Sequence, residues 1–180
     1  MPDTLPILFL DDGGVLNDNT VRAQQWQRLV GEFMPPRLGG TPAGWAEANR
    51  VTVPPLLAGF EERSLAPGET YADWERACDI AWLRGMCGHL GIEPPPDDEA
   101  ARIGREAEAY ICARVRSAFP GAAGAVRRLA ARGFTVHTAS DKSSTQLHAY
   151  LAGMGIRQHF GHLFGPDLVD EFKWRGPGYY

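Results

Sequence analysis

The sequence predicts an α/β domain with a parallel sheet and a large inserted helical subdomain. Three observations predict it. Short, continuously apolar segments stop abruptly at Asp, Ser and Gly, as in Leu5–Leu10 followed by Asp11-Asp12-Gly13-Gly14. Helical periodicity separates the candidate strands, which is the signature of parallel strands joined by helices. The stretch between the first two strands is too long for one crossover helix and reads as a subdomain of its own.

The elements follow in order. Leu5–Leu10 reads L-P-I-L-F-L, a run suited to a parallel strand buried on both faces. Trp26, Leu29, Val30 and Phe33 follow i, i+3, i+4, i+7. Pro35 to Pro42 reads as a loop. Trp74, Cys78, Trp82 and Met86 step by four, and Ile103, Ala107, Tyr110 and Ile111 repeat the helical pattern. Pro94-Pro95-Pro96 stops one helix before Asp97-Asp98 starts the next. Ala122, Val126 and Leu129 mark a helix after Pro120-Gly121. A second strand spans Phe134 to Ala139, and Leu147, Tyr150, Leu151 and Met154 mark the helix behind it. His162 to Phe164 is a third, weaker strand. The domain reading is residues 1–16 with 117–180 as a discontinuous core, and 17–116 as the insert.

Composition narrows the class. The chain has 180 residues, 44% hydrophobic and 22% charged, which is globular and can bury roughly 70% of its unfolded surface. A net charge of −4 argues against a general nucleic-acid-binding surface. Cys78, Cys87 and Cys112 form no CxxC pair, so they read as buried thiols in a reducing compartment. No apolar run reaches the ~20 residues of a membrane span. The expectation is a cytoplasmic protein without a membrane partner.

Chemistry concentrates where the strands end. In open α/β sheets ligands bind at the carboxyl ends of the strands. Asp11 stands there as a nucleophile, a metal ligand or an exposed turn residue, and Gly13-Gly14 permits a tight turn and close backbone approach. The second strand runs into Ser140-Asp141-Lys142-Ser143-Ser144, hydroxyls and a helix start that suit an anion and also suit N-capping. Lys173 near a carboxylate and a phosphate would neutralise both. His159 and His162 lack a convincing third metal ligand, and Trp26, Trp45, Trp74 and Trp82 read as core of the insert.

Together these segments resemble the haloacid dehalogenase (HAD) superfamily, from about Leu5 to Lys173. Its first motif is an apolar strand followed by Asp-x-Asp-Gly-Val/Thr-Leu, here Leu8-Phe9-Leu10-Asp11-Asp12-Gly13-Gly14-Val15-Leu16. The approach to its second motif is Pro120-Gly121, a helix, Arg132-Gly133, a strand and Ser140, and its third is Lys173. The resemblance implies a Rossmann-like core, a helical cap and an aspartate-nucleophile hydrolase of a small phosphorylated metabolite. Asp11 would form an aspartyl-phosphate, Ser140 would bind a phosphoryl oxygen and Lys173 would offset charge. Gly14 and Asp141 would complete the substrate contacts, and Mg²⁺ would rest on Asp11 and the Gly13 carbonyl.

Two departures bear on activity. The family's phosphatases carry an acid–base Asp two positions after the nucleophile, where this chain has Gly13. Asp12 could swing into that role, although it should start on the opposite side of the segment. The family's next strand, with its acidic pair, is expected beyond Lys173, whereas the sequence ends at Tyr180. The core therefore reads as incomplete at its C-terminal end, leaving an apolar edge on the first strand for a second copy of the chain. Asp167 and Asp170 could stand in for the acidic pair. Two alternatives follow: an inactive or truncated relative that binds a ligand or partner, and a metal-independent dehalogenase-type hydrolase.

Overall fold

The computed structural model describes residues 5–58 and 63–173; Trp174 to Tyr180 lie outside the described residues. The described residues form two compact units, one running through Arg22 and resuming at Val115, the other Ala23–Arg114.

The first unit holds a parallel three-stranded sheet in the order β1 (Leu8–Leu10), β2 (Val136–Ala139), β3 (Leu163–Phe164). Leu8 pairs with Val136, Phe9 with His137 and Leu10 with Thr138; Thr138 and Ala139 pair in turn with Leu163 and Phe164. Helices α6 (Ala122–Ala131) and α7 (Ser144–Gly153) supply Val126, Leu147 and Leu151 to a core shared with Val136, Ile156, Phe160 and Leu163, against which Leu10 packs. Gly121 and Gly133 take φ of 84° and 85° at the two ends of the α6 segment, a conformation that costs a glycine little. A short helix α8 (Pro166–Val169) follows β3.

The second unit is helical. It contains most of α1 (Asn19–Phe33), then α2 (Pro35–Leu38), α3 (Pro42–Leu57), α4 (Tyr71–Leu90) and α5 (Asp97–Cys112). Leu29, Val30 and Phe33 of α1 are buried, as are Met86 of α4 and Ile103, Ala107 and Ile111 of α5. Thr70 and Asp73 form a reciprocal capping box that starts α4, and Gly91 in the left-handed region ends it.

Three expectations need correction. The strand expected over Leu5–Leu10 is ordered as a ladder only from Leu8, because Pro6 has no N–H to give. Nor is it buried on both faces: α6 and α7 pack on the Leu10 side, while Ile7 is 58% and Phe9 42% exposed. Phe9 instead meets the rings of His137 and Phe164 at 5.5 and 6.0 Å. Finally, Pro35 to Pro42 is a loop only at Gly39, Gly40 and Thr41, since Pro35–Leu38 is helical and Pro42 begins the next helix. Pro35 and Pro42 sit at the first positions of α2 and α3, where a missing N–H costs nothing.

Helix α3 was also hidden by composition. Its buried face is Trp45, Ala48, Asn49 and Thr52, correctly spaced but half polar. Asn49 is satisfied because its Oδ1 accepts the Trp82 indole N–H at 2.9 Å. Trp45 is fully buried, and its indole N–H donates to the Gly39 carbonyl at 2.7 Å.

Candidate active site

The turn after β1 is held by Asp12. Its carbonyl accepts the N–H groups of Leu16 and Asn17, both at 2.9 Å. Gly14 takes φ of 77° and would meet nothing within 4 Å if it carried a Cβ, so its glycine is required by the turn and not by crowding. The result is a compact loop from which Asp11 projects, with its side chain part-buried.

Asp11 is gripped on both oxygens. Oδ1 accepts the Asp12 N–H at 2.7 Å, and Oδ2 accepts the Lys173 ammonium. Lys173 can reach it because Phe172, its neighbour, is wholly buried and anchors the segment. The ammonium compensates the carboxylate directly, across a gap of 162 residues in sequence.

Ser140 leaves the sheet at the same edge, since Leu10 and Thr138 are paired and both strands run the same way. Its side chain is completely buried. The hydroxyl accepts the Lys142 N–H at 3.4 Å and lies 3.5 Å from Asp141 Oδ1. Lys142 in turn approaches Asp141 at 3.6 Å. Ser143 caps α7 by accepting the Gln146 N–H. The structure therefore brings Asp11 and Lys173 into contact and sets Ser140 and Asp141 at the adjoining strand end.

Asp12 cannot take the acid–base role considered for it. It is fully buried, accepting Asn17 Nδ2 at 2.6 Å and Arg22 Nη2 at 2.5 Å. Asp18 caps α1 by accepting the Thr20 N–H at 2.8 Å. Asp167 is committed to the N–H and hydroxyl of Ser144, and Asp170 sits in the left-handed region at the end of α8. His162 donates its N–H to His137 Nδ1 at 2.9 Å, and burial followed by the neighbouring His162 holds the His137 imidazole below its usual range.

The oxygens that the resemblance assigns to Mg²⁺ are the Asp11 carboxylate, here held by the Asp12 N–H and Lys173, and the Gly13 carbonyl of the same turn. Mg²⁺ accepts such a sparse protein set when water and substrate phosphate fill the remaining positions. Among the described residues no three His, Cys, Asp or Glu side chains converge as a metal cluster. Hard oxygen donors are the right chemistry for Mg²⁺, and two of them leave most of its shell to water and other ligands.

Sequence reading missed Arg22, Asn17, Ser117 and Gly165. A Cβ on Gly165 would lie 2.3 Å from the Lys142 carbonyl and 2.9 Å from the Ser144 nitrogen, so this glycine lets the β3 turn pack against the Ser140 loop. Hydrophobic patterning carries no signal for any of the four. Only the presence of an Arg in the first turn of a helix just after the motif hinted at one.

No protein-family model and no curated protein matches the chain. Solved structures do. YfnB of Bacillus subtilis, a HAD-hydrolase described as bound to magnesium, matches with TM-score 0.61 at 15% identity, over 93% of this chain and 66% of that one. L-2-haloacid dehalogenase from Xanthobacter autotrophicus matches with TM-score 0.57 at 19% identity, over 94% and 60%. A predicted phosphoglycolate phosphatase from Haemophilus somnus matches with TM-score 0.54 at 11% identity, over 92% and 64%. The chain spans about two thirds of the length of these proteins or somewhat less. A parallel sheet with Asp11 and Ser140 at its carboxyl edge, a helical unit inserted after the first strand, and these neighbours agree: the chain has the HAD-like fold, a Rossmann-like α/β core carrying an inserted helical cap.

Proposed function

We propose that this protein is a HAD-type hydrolase of small phosphorylated metabolites, with Asp11 as nucleophile. The observation that carries the reading is the Asp11 carboxylate itself, hydrogen-bonded by the Asp12 N–H and paired with Lys173 at the sheet's carboxyl edge. Asp11 attacks phosphorus, the P–O bond to the alcohol breaks, and an aspartyl-phosphate forms; water then cleaves it to phosphate and free Asp11. Lys173 offsets charge on the carboxylate and the phosphoryl group, and Ser140 is the hydroxyl assigned to donate to a phosphoryl oxygen. Asp11 and the Gly13 carbonyl would hold Mg²⁺, which would supply further charge neutralisation. The reaction would take place in the cytoplasm.

Gly13 shapes the substrate preference. With no acid at that position and Asp12 locked, the departing alcohol takes its proton from solvent. Positioned general acids contribute about 10²–10⁴-fold, so phosphates of acidic alcohols should react faster than alkyl phosphates by a factor of that order.

The same observation favours a second reading, metal-independent dehalogenation. A halide leaves without a proton, so Gly13 would cost nothing when Asp11 attacks carbon. One experiment separates the readings: hydrolysis of 4-nitrophenyl phosphate and of a 2-halocarboxylic acid, with and without Mg²⁺, by the wild type and Asp11→Asn. Mg²⁺-dependent phosphate release lost in Asp11→Asn is the expected result. Halide release without metal moves the assignment to the second reading. Turnover equal to Asp11→Asn on both substrates removes the chain from the active hydrolases and leaves a ligand- or partner-binding relative.

A further inference from the structure

We infer that Arg22 is a positioning residue for Asp11, acting through Asp12; this rests on the reading of Asp11 as nucleophile. Arg22 stands in the first turn of α1, with its side chain 8% exposed, and its Nη2 donates to Asp12 Oδ2 at 2.5 Å. Its guanidinium also lies 4.5 Å from the centroid of the Tyr150 ring. The other Asp12 oxygen takes Asn17 Nδ2 at 2.6 Å, and Asn17 Oδ1 accepts the Ser117 hydroxyl at 2.9 Å. The chain leaves the first unit just after Arg22 and returns to it at Val115, two residues before Ser117. Both crossing segments are thereby tied to the residue beside the nucleophile.

The pair is a poor stabilising device. Burying two charges costs more than a well-packed apolar pair would, and two Arg22 nitrogens, Nε and Nη1, are buried without a hydrogen-bond partner. Its placement gives it another role. The Asp12 N–H holds Asp11 Oδ1 at 2.7 Å, so whatever fixes Asp12 fixes the orientation of the attacking carboxylate. Arg22 also cancels the charge of Asp12, one residue from where an anionic phosphoryl group must arrive.

Arg22→Met alone leaves a buried carboxylate without its counter-charge and will destabilise the fold, so it cannot decide the matter. The double variant Arg22→Met/Asp12→Asn removes both charges and keeps the side-chain volumes, restoring a melting temperature near the wild type. With 4-nitrophenyl phosphate and Mg²⁺, its kcat should fall on the order of tenfold to a hundredfold with KM little changed, as for a slightly misplaced reacting group. Arg22→Lys, which keeps the charge, should lie between. A double variant with restored stability and wild-type kcat overturns the inference. A readout independent of turnover is hydrogen exchange of the Asp12 amide by NMR. It should quicken in the double variant while amides of β2 hold their rates; an unchanged Asp12 rate also overturns the inference. Wild-type turnover no faster than Asp11→Asn sinks the nucleophile reading, and the Asp12 exchange rate then judges alone whether Arg22 orients that carboxylate.

Discussion

Residues in the turn after β1 divide by what holds them. Asp11 and Asp12 are neighbours of the same type, yet one carries a part-exposed ammonium partner and the other a buried guanidinium. Lys173 and Asp11 are 26% and 32% exposed in their side chains, so water and substrate can compete for the pair. Asp12 is sealed. Removing one partner of a buried ion pair typically costs about 3–5 kcal/mol. Asp12→Asn should therefore lower stability by that order in denaturant titration, whereas Lys173→Met should change it little and abolish turnover. The motif Asp11-Asp12-Gly13-Gly14 made both acids visible; it could not say which was reachable by solvent, because the partner of one is a helix residue and of the other a residue near the far end of the sequence.

Helices of the second unit show how single atoms set an interface. In α4, a Cβ on Gly85 would lie 2.5 Å from Thr52 Cγ2, and Thr52 is buried and β-branched, with few rotamers to retreat into. Three residues along, a Cβ on Gly88 would meet nothing within 4 Å. Gly85→Ala should therefore destabilise by about 1–3 kcal/mol through overpacking, while Gly88→Ala should stabilise by roughly 0.5–1 kcal/mol through helix propensity. Thermal melts of the two variants should move in opposite directions. Helix α4 also carries Asp79, whose Oδ2 is buried without a hydrogen-bond partner and whose side chain rests against Gly104 of α5. Burial first, then Glu75, pushes its carboxyl up to about 7, against the pull of Arg105. A carboxyl raised on folding binds more protons in the native state, so its contribution to stability is full below its ordinary range and is lost as pH rises through about 7. The melting temperature should fall across that window, and Asp79→Asn should flatten the dependence. None of this was legible in the apolar stepping of Trp74, Cys78, Trp82 and Met86, since Asp79 reads in sequence as a solvated charge.

For the whole molecule, the consequential feature is the edge of the sheet. β1 has β2 on one side and no further strand among the described residues, and Leu5, Ile7 and Phe9 are exposed on it at 46%, 58% and 42%. We propose that copies of the chain associate through this edge. Light scattering should show an average mass that rises with concentration, and Ile7→Lys should return it to the monomer; a concentration-independent monomer would rule the association out. The α/β class and the insert after the first strand were legible in the sequence itself, because an apolar strand and an amphipathic helix are local patterns with a fixed period; Asp11, Ser140 and Lys173 were singled out by resemblance to a family's motifs, which no period supplies. The tertiary structure decided which acid is locked and which is available, that a half-polar segment forms helix α3, and that one sheet face is open. Those outcomes depend on partners far away along the chain, Arg22, Trp82 and Lys173 among them, and on how much surface the neighbouring elements cover, neither of which has a period to read.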